Sequence, residues 1–256
     1  MLKPEIPTGK YMYCIIRSPV SCQFSPLGIG ERKDVVHTVN FMDMAAVVSD
    51  TPIVEYEESR RNMMAHTLVL EEVMQQFSIL PVRFGTVAPS SVVILEQVLK
   101  RRFGELISTF EEVDNRVELG VKAFWYEEGI FQEIVEQYPA IRSLRDSLKG
   151  RSAEETFYER IRLGEMIEAA MEKKRDEDSG KILEHLRPLV YRSRANKVLT
   201  DKMVLNAAFL VNRDREVDFD QAIQQLGTNM DKRLIFKYVG PVPPYNFVNI
   251  IIQWDA

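Results

Sequence analysis

The three histidines, His37, His66 and His185, are the first residues to consider for acid–base or metal chemistry. They are widely separated, and the sequence has no His-x3-His or Cys-x2-Cys pair, so the ligand spacing typical of zinc sites is absent. His66 falls on the apolar face of a predicted helix. It could act as a ligand or general base, but a core histidine held by hydrogen bonds is the favoured interpretation. We therefore expect no metal and no cofactor.

Other chemistry-bearing motifs are weak. Residues 28–30 form a lone Gly-x-Gly without the third glycine of a dinucleotide-binding turn, so a plain turn is expected. Adjacent glutamates such as Glu57 and Glu58 point in different directions on a helix and cannot act jointly on one atom.

Arg83 is more informative, because a guanidinium on an apolar strand needs a fixed partner. We expect a buried ion pair there, with contact to another protein as the alternative. No catalytic site emerges, and we expect a protein that is not an enzyme.

Composition narrows the class further. The formal net charge of −5 argues against nucleic-acid binding, and the best basic cluster, residues 100–102, is expected to be a solvated helix face. Two cysteines, Cys14 and Cys22, suit a reducing cytosol better than a disulfide framework. No signal peptide is visible, and no apolar run approaches the roughly 20 residues of a membrane span. These features predict a cytoplasmic protein without membrane contact.

Strands alternate with helices along the chain, which predicts an α+β fold of two domains. We place the boundary near the polar segment 111–115, giving an N-terminal α+β domain (1–115) and a C-terminal domain (116–256). The C-terminal domain is expected to be a modified ferredoxin-like fold with a long helical insert at about 127–200. The charged run 172–178 is expected to be an exposed helix end. Predicted strands are 11–17, 41–48, 53–56, 79–86, 117–125, 203–211 and 233–239, and predicted helices are 57–77, 91–110 and 219–230.

The apolar tail is a separate feature. Three prolines within 240–244 should end the last strand, because each removes a backbone donor. The aromatic residues Tyr245 and Phe247 follow, and then an uncharged, β-prone segment, 248–254. Left free, such a segment would promote aggregation, so we expect it to dock on its own chain as an added strand or between the domains. Either it completes the core or it shares a groove with a partner.

Several segments, in order along the chain, resemble the GvpF/GvpL family of gas vesicle proteins. Residues 80–87 read Leu-Pro-Val-Arg-Phe-Gly-Thr-Val, and 240–248 read Gly-Pro-Val-Pro-Pro-Tyr-Asn-Phe-Val, with Val242 where an aromatic residue is expected. Segments 59–66, 118–122 and 205–211 are similar to further family blocks, whereas the insert matches poorly. The motif positions, mainly structural but able to contact a partner, are Arg60, Arg61, His66, Pro81, Arg83, Phe84, Gly85, Asn206, Pro244, Tyr245 and Phe247.

The resemblance implies a minor component of gas vesicles, the gas-filled protein shells that give aquatic microbes buoyancy. It implies a ferredoxin-like C-terminal domain and no catalytic residues. It also implies contact with the hydrophobic shell protein GvpA, which the chain would keep from aggregating during nucleation, and with other minor gas vesicle proteins. Two alternatives stay open: a ferredoxin-like small-ligand or haem-binding enzyme domain with His66 as axial ligand, and a purely structural shell component.

Overall fold

The structure, a computed structural model, describes residues 7–254 apart from the side chains of Glu31, Glu127 and Glu128. Contacts between residues divide the chain into two units. The first contains the described residues up to Glu118 together with those from Pro241 onward, and the second is Leu119–Gly240. The described tail, from Pro241 onward, thus groups with the first unit rather than with the second.

The first unit is built on a five-stranded sheet. Its strands are β1 (Thr8–Arg17), β2 (His37–Phe41), β3 (Met44–Pro52), β4 (Ile79–Pro81) and β5 (Val87–Ala88). The order is β2-β3-β1-β4, and β5 also pairs with β1. Residues 11–16 of β1 are all 0% exposed, as expected of a central strand covered on both faces. Pro81 lies on the edge strand β4, where a missing N–H interrupts no inner ladder.

Three strand predictions in this unit were wrong. The predicted strand 79–86 holds only for β4, because the chain leaves the sheet edge after Val82. The predicted strand 41–48 spans the end of β2, a turn and the start of β3, because the chain reverses at Met42, whose φ is 52°. Residues 53–56 form no strand. There β3 ends at Pro52, and the N–H of Val54 donates back to the Pro52 carbonyl at 2.9 Å, which turns the chain away from the sheet.

Helices of the first unit begin where the sequence offers side-chain caps. Ser59 accepts a hydrogen bond from the Asn62 N–H at the start of α1 (Arg60–Met74), and Ser90 accepts one from the Val93 N–H at α2 (Ser91–Val93). A π-helical stretch, Ile94–Lys100, continues α2 and leads to α3 (Phe103–Val113). The buried residues of α1 recur at helical spacing and pack against the sheet; they are His66, Val69, Leu70 and Val73.

The second unit has the expected ferredoxin-like topology. Its strands are β6 (Arg116–Trp125), β7 (Arg192–Ala195), β8 (Met203–Asn212) and β9 (Leu234–Val242). Helices α4 (Glu127–Gln137), α5 (Pro139–Ser147) and α6 (Phe157–Leu186) connect the first two strands, and α7 (Glu216–Asn229) precedes the last. The sheet order β7-β8-β6-β9 places the first and third strands of this βαββαβ unit at the centre. Residues 127–200 are not helical throughout, because β7, an exposed edge strand, lies inside that range.

The charged run 172–178 is not an exposed helix end. It lies in the middle of the continuous helix α6, where Lys174 and Asp178 are 8% and 0% exposed. Residues four apart share a helix face, so both point inward. Trp125 Nε1 and Arg233 Nε donate to Asp178 Oδ2 at 2.8 and 2.7 Å. Arg233 also forms a salt bridge with Glu133. Glu133 forms a second salt bridge with Lys174, at 3.0 Å. The run therefore supplies two members of a largely buried charge network.

The last strand continues further than predicted. β9 runs through Gly240 and Pro241 to Val242, because it is an edge strand and a proline can face outward there. The turn follows immediately afterwards, where the N–H groups of Phe247 and Val248 both donate to the Pro244 carbonyl, at 3.0 and 2.9 Å. The chain then passes along the first unit.

Candidate binding groove

The segment 80–87 forms a loop that leaves the sheet edge and returns to it. The Val82 N–H donates to the Tyr13 carbonyl at 3.0 Å, and the Met12 N–H donates to the Thr86 carbonyl at 2.9 Å. Between these two bonds the chain bulges outward. Gly85 has a φ of +80°, a left-handed conformation that favours glycine. This explains why a glycine occupies this position of the bulge. The loop thus presents its side chains beside the edge rather than within the ladder.

His66 lies beneath this loop in an aromatic cluster. Its ring is 1% exposed and lies 5.7 Å from that of Phe84 and 5.6 Å from that of Tyr13, measured between centroids. Tyr11 Oη accepts the Gly85 N–H at 3.0 Å and lies 3.0 Å from His66 Nδ1. Burial raises the pKa of the Tyr11 hydroxyl, which therefore keeps its proton.

The Tyr11 hydroxyl contacts one nitrogen of the His66 ring, Nδ1. The other ring nitrogen, Nε2, is buried and has no hydrogen-bond partner within the described chain. Burial lowers the pKa of His66 to about 4. The motif positions His66, Phe84 and Gly85 therefore meet at one place, with His66 as a core histidine bonded at one nitrogen only. His66 lines none of the grooves described below.

The buried histidine predicts a pH dependence of stability. In the unfolded chain the histidine pKa is about 6.5, so between pH 6.5 and 4 the unfolded state binds more protons than the folded one. The free energy of unfolding should fall as the pH falls through this window, by about 3 kcal/mol in total from His66. Urea denaturation at a series of pH values measures the slope. We expect His66→Gln to reduce the dependence of the unfolding free energy on pH. The same change at the exposed His185 should leave that dependence as it is in the parent chain.

A groove opens on the outer side of the loop. It has a volume of ≈ 810 Å³ and lies within the first unit. Segment 53–58 forms one wall and segment 83–87 the other. Ile53 and Val54 are each 39% exposed, and three glutamates follow them on the same segment. The lining residues are Ile53, Val54, Glu55, Tyr56, Glu57, Glu58, Arg83, Phe84, Gly85, Thr86, Val87, Ile252 and Trp254. The lining thus combines apolar side chains with three carboxylates and the Arg83 guanidinium.

Arg83 lines this groove, so the expected buried ion pair was wrong. Its side chain is exposed and forms no ion pair with any carboxylate in residues 7–254. The reason is the bulge, which takes Arg83 out of the strand alternation.

Substitutions of exposed, unpaired residues change stability by at most about 0.5 kcal/mol. We therefore expect Arg83→Ala to leave the melting temperature within error of the parent, measured by calorimetry.

Before it reaches the groove, the tail is fixed by hydrogen bonds between Asn246 and Glu118. Asn246 donates its backbone N–H and its side-chain amide to the Glu118 carboxylate, at 2.8 and 2.5 Å. Glu118 is 3% exposed. Pro244 is buried, Phe247 is half-buried and Tyr245 is 48% exposed. No local sequence pattern reveals the role of Glu118, because its partner Asn246 lies 128 residues further along the chain.

The remaining motif positions lie elsewhere. Arg60 and Arg61 are the first residues of α1 and are exposed. Asn206 belongs to β8 in the second unit, where its side-chain amide donates to the Lys197 carbonyl at 2.8 Å and closes the connection between β7 and β8. The structure therefore gathers the 80–87 motif and His66 at one place, and leaves these three residues with local roles.

Within 7–254, no group of three or more His, Cys, Asp or Glu side chains is placed to hold a metal ion. In the same range, no helix combines the length and the apolar character that a membrane crossing requires.

Comparison with known proteins matches the chain over nearly its whole length. The family model described as Gas vesicle synthesis protein GvpL/GvpF matches residues 9–249. Gas vesicle protein F of Streptomyces sp. strain CB03234 is 31% identical over 93% of this chain and 98% of its own. The protein of the same name from Nostoc sp. strain PCC 7120 is 26% identical over 95% of this chain and 99% of its own. The crystal structure of GvpF from Anabaena sp. PCC7120 is similar with a TM-score of 0.84 at 26% identity, over 96% of this chain and 100% of that one.

Proposed function

Because the chain belongs to the GvpL/GvpF family of gas vesicle synthesis proteins, we propose that it binds the hydrophobic shell protein GvpA and keeps it from aggregating during vesicle nucleation. Family membership associates the chain with gas vesicles and their assembly and with no known enzyme family. The proposal adds the partner, the cytoplasmic setting and the way of binding. The observation that carries it is the groove between segments 53–58 and 83–87.

The chemistry of the groove suits such a partner. A subunit that faces a gas space carries apolar surface before assembly, and free apolar strands pair with one another and aggregate. A protein can prevent this by offering a sheet edge and an apolar groove to the exposed segment. The groove has exposed aliphatic side chains at Ile53 and Val54, and it lies next to the edge strand β4. Arg83 and the three glutamates that line the groove can select the orientation of the bound segment.

A charge placed in the groove tests the proposal. We expect Val54→Lys to reduce the amount of GvpA that co-purifies with the chain by at least roughly ten-fold, because a lysine ammonium would be desolvated against apolar surface. GvpA and a tagged copy of the chain are expressed together, and GvpA is measured in the eluate and in the insoluble fraction.

The matched control is Val92→Lys, which makes the same change at a valine that is 66% exposed and does not line the groove. It should capture GvpA as the parent does. Equal capture by parent, Val54→Lys and Val92→Lys would show that GvpA does not use the groove. Absence of capture by the parent chain would refute GvpA as the partner.

A further inference from the structure

The tail is held in two different ways along its length. Up to Ile250 it is part of the core of the first unit: Val248 and Ile250 are 6% and 5% exposed, and Glu118 binds Asn246 through two hydrogen bonds. Ile250 also forms a parallel bridge with Val82, directly after the edge strand β4. This part of the tail is anchored by burial and by hydrogen bonds together.

Beyond Ile250 the attachment changes. Ile251 is 54% exposed, and its carbonyl accepts a hydrogen bond from Arg102 Nη1 at 2.9 Å. Arg102 itself is fixed by Glu105, whose two carboxylate oxygens accept from its guanidinium at 2.7 and 2.6 Å. Ile252 and Trp254 then lie against the groove without belonging to any strand. This outer segment, residues 251–254, is held mainly by side-chain contact.

The outer segment also shows what the groove accepts. It reads Ile-Ile-Gln-Trp, which is uncharged, apolar at three of four positions and prone to β-structure. Ile252 and Trp254 line the groove, whereas Ile251 and Gln253 line a second depression beside Arg102. A guest of the same chemistry, an extended apolar segment, could pair at the sheet edge only where the outer segment has moved away.

We propose that residues 251–254 form a displaceable cover of the groove, and that an extended apolar segment of GvpA takes their place. This inference rests on the proposed function and deepens it. When no shell subunit is present, the cover contributes Ile252 and Trp254 to the lining of the groove, while Ile53 and Val54 stay exposed. The hydrogen bond from Arg102 to Ile251 sets how readily the cover opens. A guest must then compete with the cover, which lowers its apparent affinity by the fraction of open molecules.

Two truncated chains test the cover. A chain that ends after Ile250 keeps both buried anchors and lacks the cover. At a limiting concentration of GvpA it should capture roughly five- to ten-fold more than the full chain, if the cover is closed in most molecules. A chain that ends after Trp254 keeps the cover and should behave like the full chain. Melting temperatures of all three chains verify that the anchors hold.

A point substitution gives an independent test at full length. Arg102→Met removes the bond to Ile251 and should raise capture in the same direction as truncation. Glu105→Gln disturbs the ion pair of Arg102 but leaves that bond available, so it should have a smaller effect. Equal capture by the full chain and by the chain ending after Ile250, or lower capture by the latter, would overturn the cover while leaving the proposed function intact. If no chain captures GvpA, the proposed function and the cover both fail.

Discussion

Asp178→Ala is expected to lower the free energy of unfolding of the second unit by about 3 kcal/mol, because it leaves a largely buried guanidinium and an indole N–H without their acceptor. Asp178 is 0% exposed and accepts from both Trp125 and Arg233. This loss is at the low end of the losses expected when one partner of a buried ion pair is removed. The reason is that the Arg233 side chain is 30% exposed and keeps Glu133 as a partner.

Tryptophan fluorescence during urea unfolding measures this loss, since Trp125 lies in the network itself. A Trp254→Phe background leaves Trp125 as the single reporter, because the chain has two tryptophans. The control is Asp176→Ala, which removes the same charge from an exposed position of the same helix. It should change stability by less than about 0.5 kcal/mol. Similar losses in both variants would mean that the network adds nothing beyond the general charge of α6.

Truncation of the chain after Phe247 should lower the stability of the first unit by about 4 kcal/mol, because it removes the buried side chains of Val248 and Ile250. It also removes the bridge to Val82 and exposes the edge strand β4. We expect a lower urea midpoint and a greater tendency to aggregate, measured by light scattering. The chain that ends after Ile250 is the matched control and should retain most of the stability. Equal stability of the two truncated chains would show that the tail anchors contribute little.

Much of the fold follows from sequence patterns, because apolar periodicity reports which face is buried. The buried run 11–16 and the alternation 117–125 both predicted strands that the structure contains. The ferredoxin-like unit is confirmed by its order of elements and sheet order. The short strand β7 was missed, since its four residues, Arg-Ser-Arg-Ala, are all exposed and carry no apolar pattern.

The errors in the site have a common physical origin. Burial of a charged residue depends on a partner that is distant in sequence, and a local pattern does not contain that information. The prediction of an exposed helix end at Asp178 was wrong, because Trp125 and Arg233, both distant in sequence, donate to its buried carboxylate. The prediction of a buried Arg83 was wrong, because the bulge at Gly85 turns its side chain outward. His66 was placed correctly, since the apolar stripe of α1 is a local pattern.

Hydrogen exchange of the complex with GvpA tests the central claim most directly. The chain is exchanged alone and with GvpA bound, and the protection of its peptide fragments is compared by mass spectrometry. Our account predicts that segments 53–58 and 83–87 gain protection, while residues 251–254 lose it as the cover moves away. A footprint confined to residues 119–240, with the groove segments unchanged, would contradict the account.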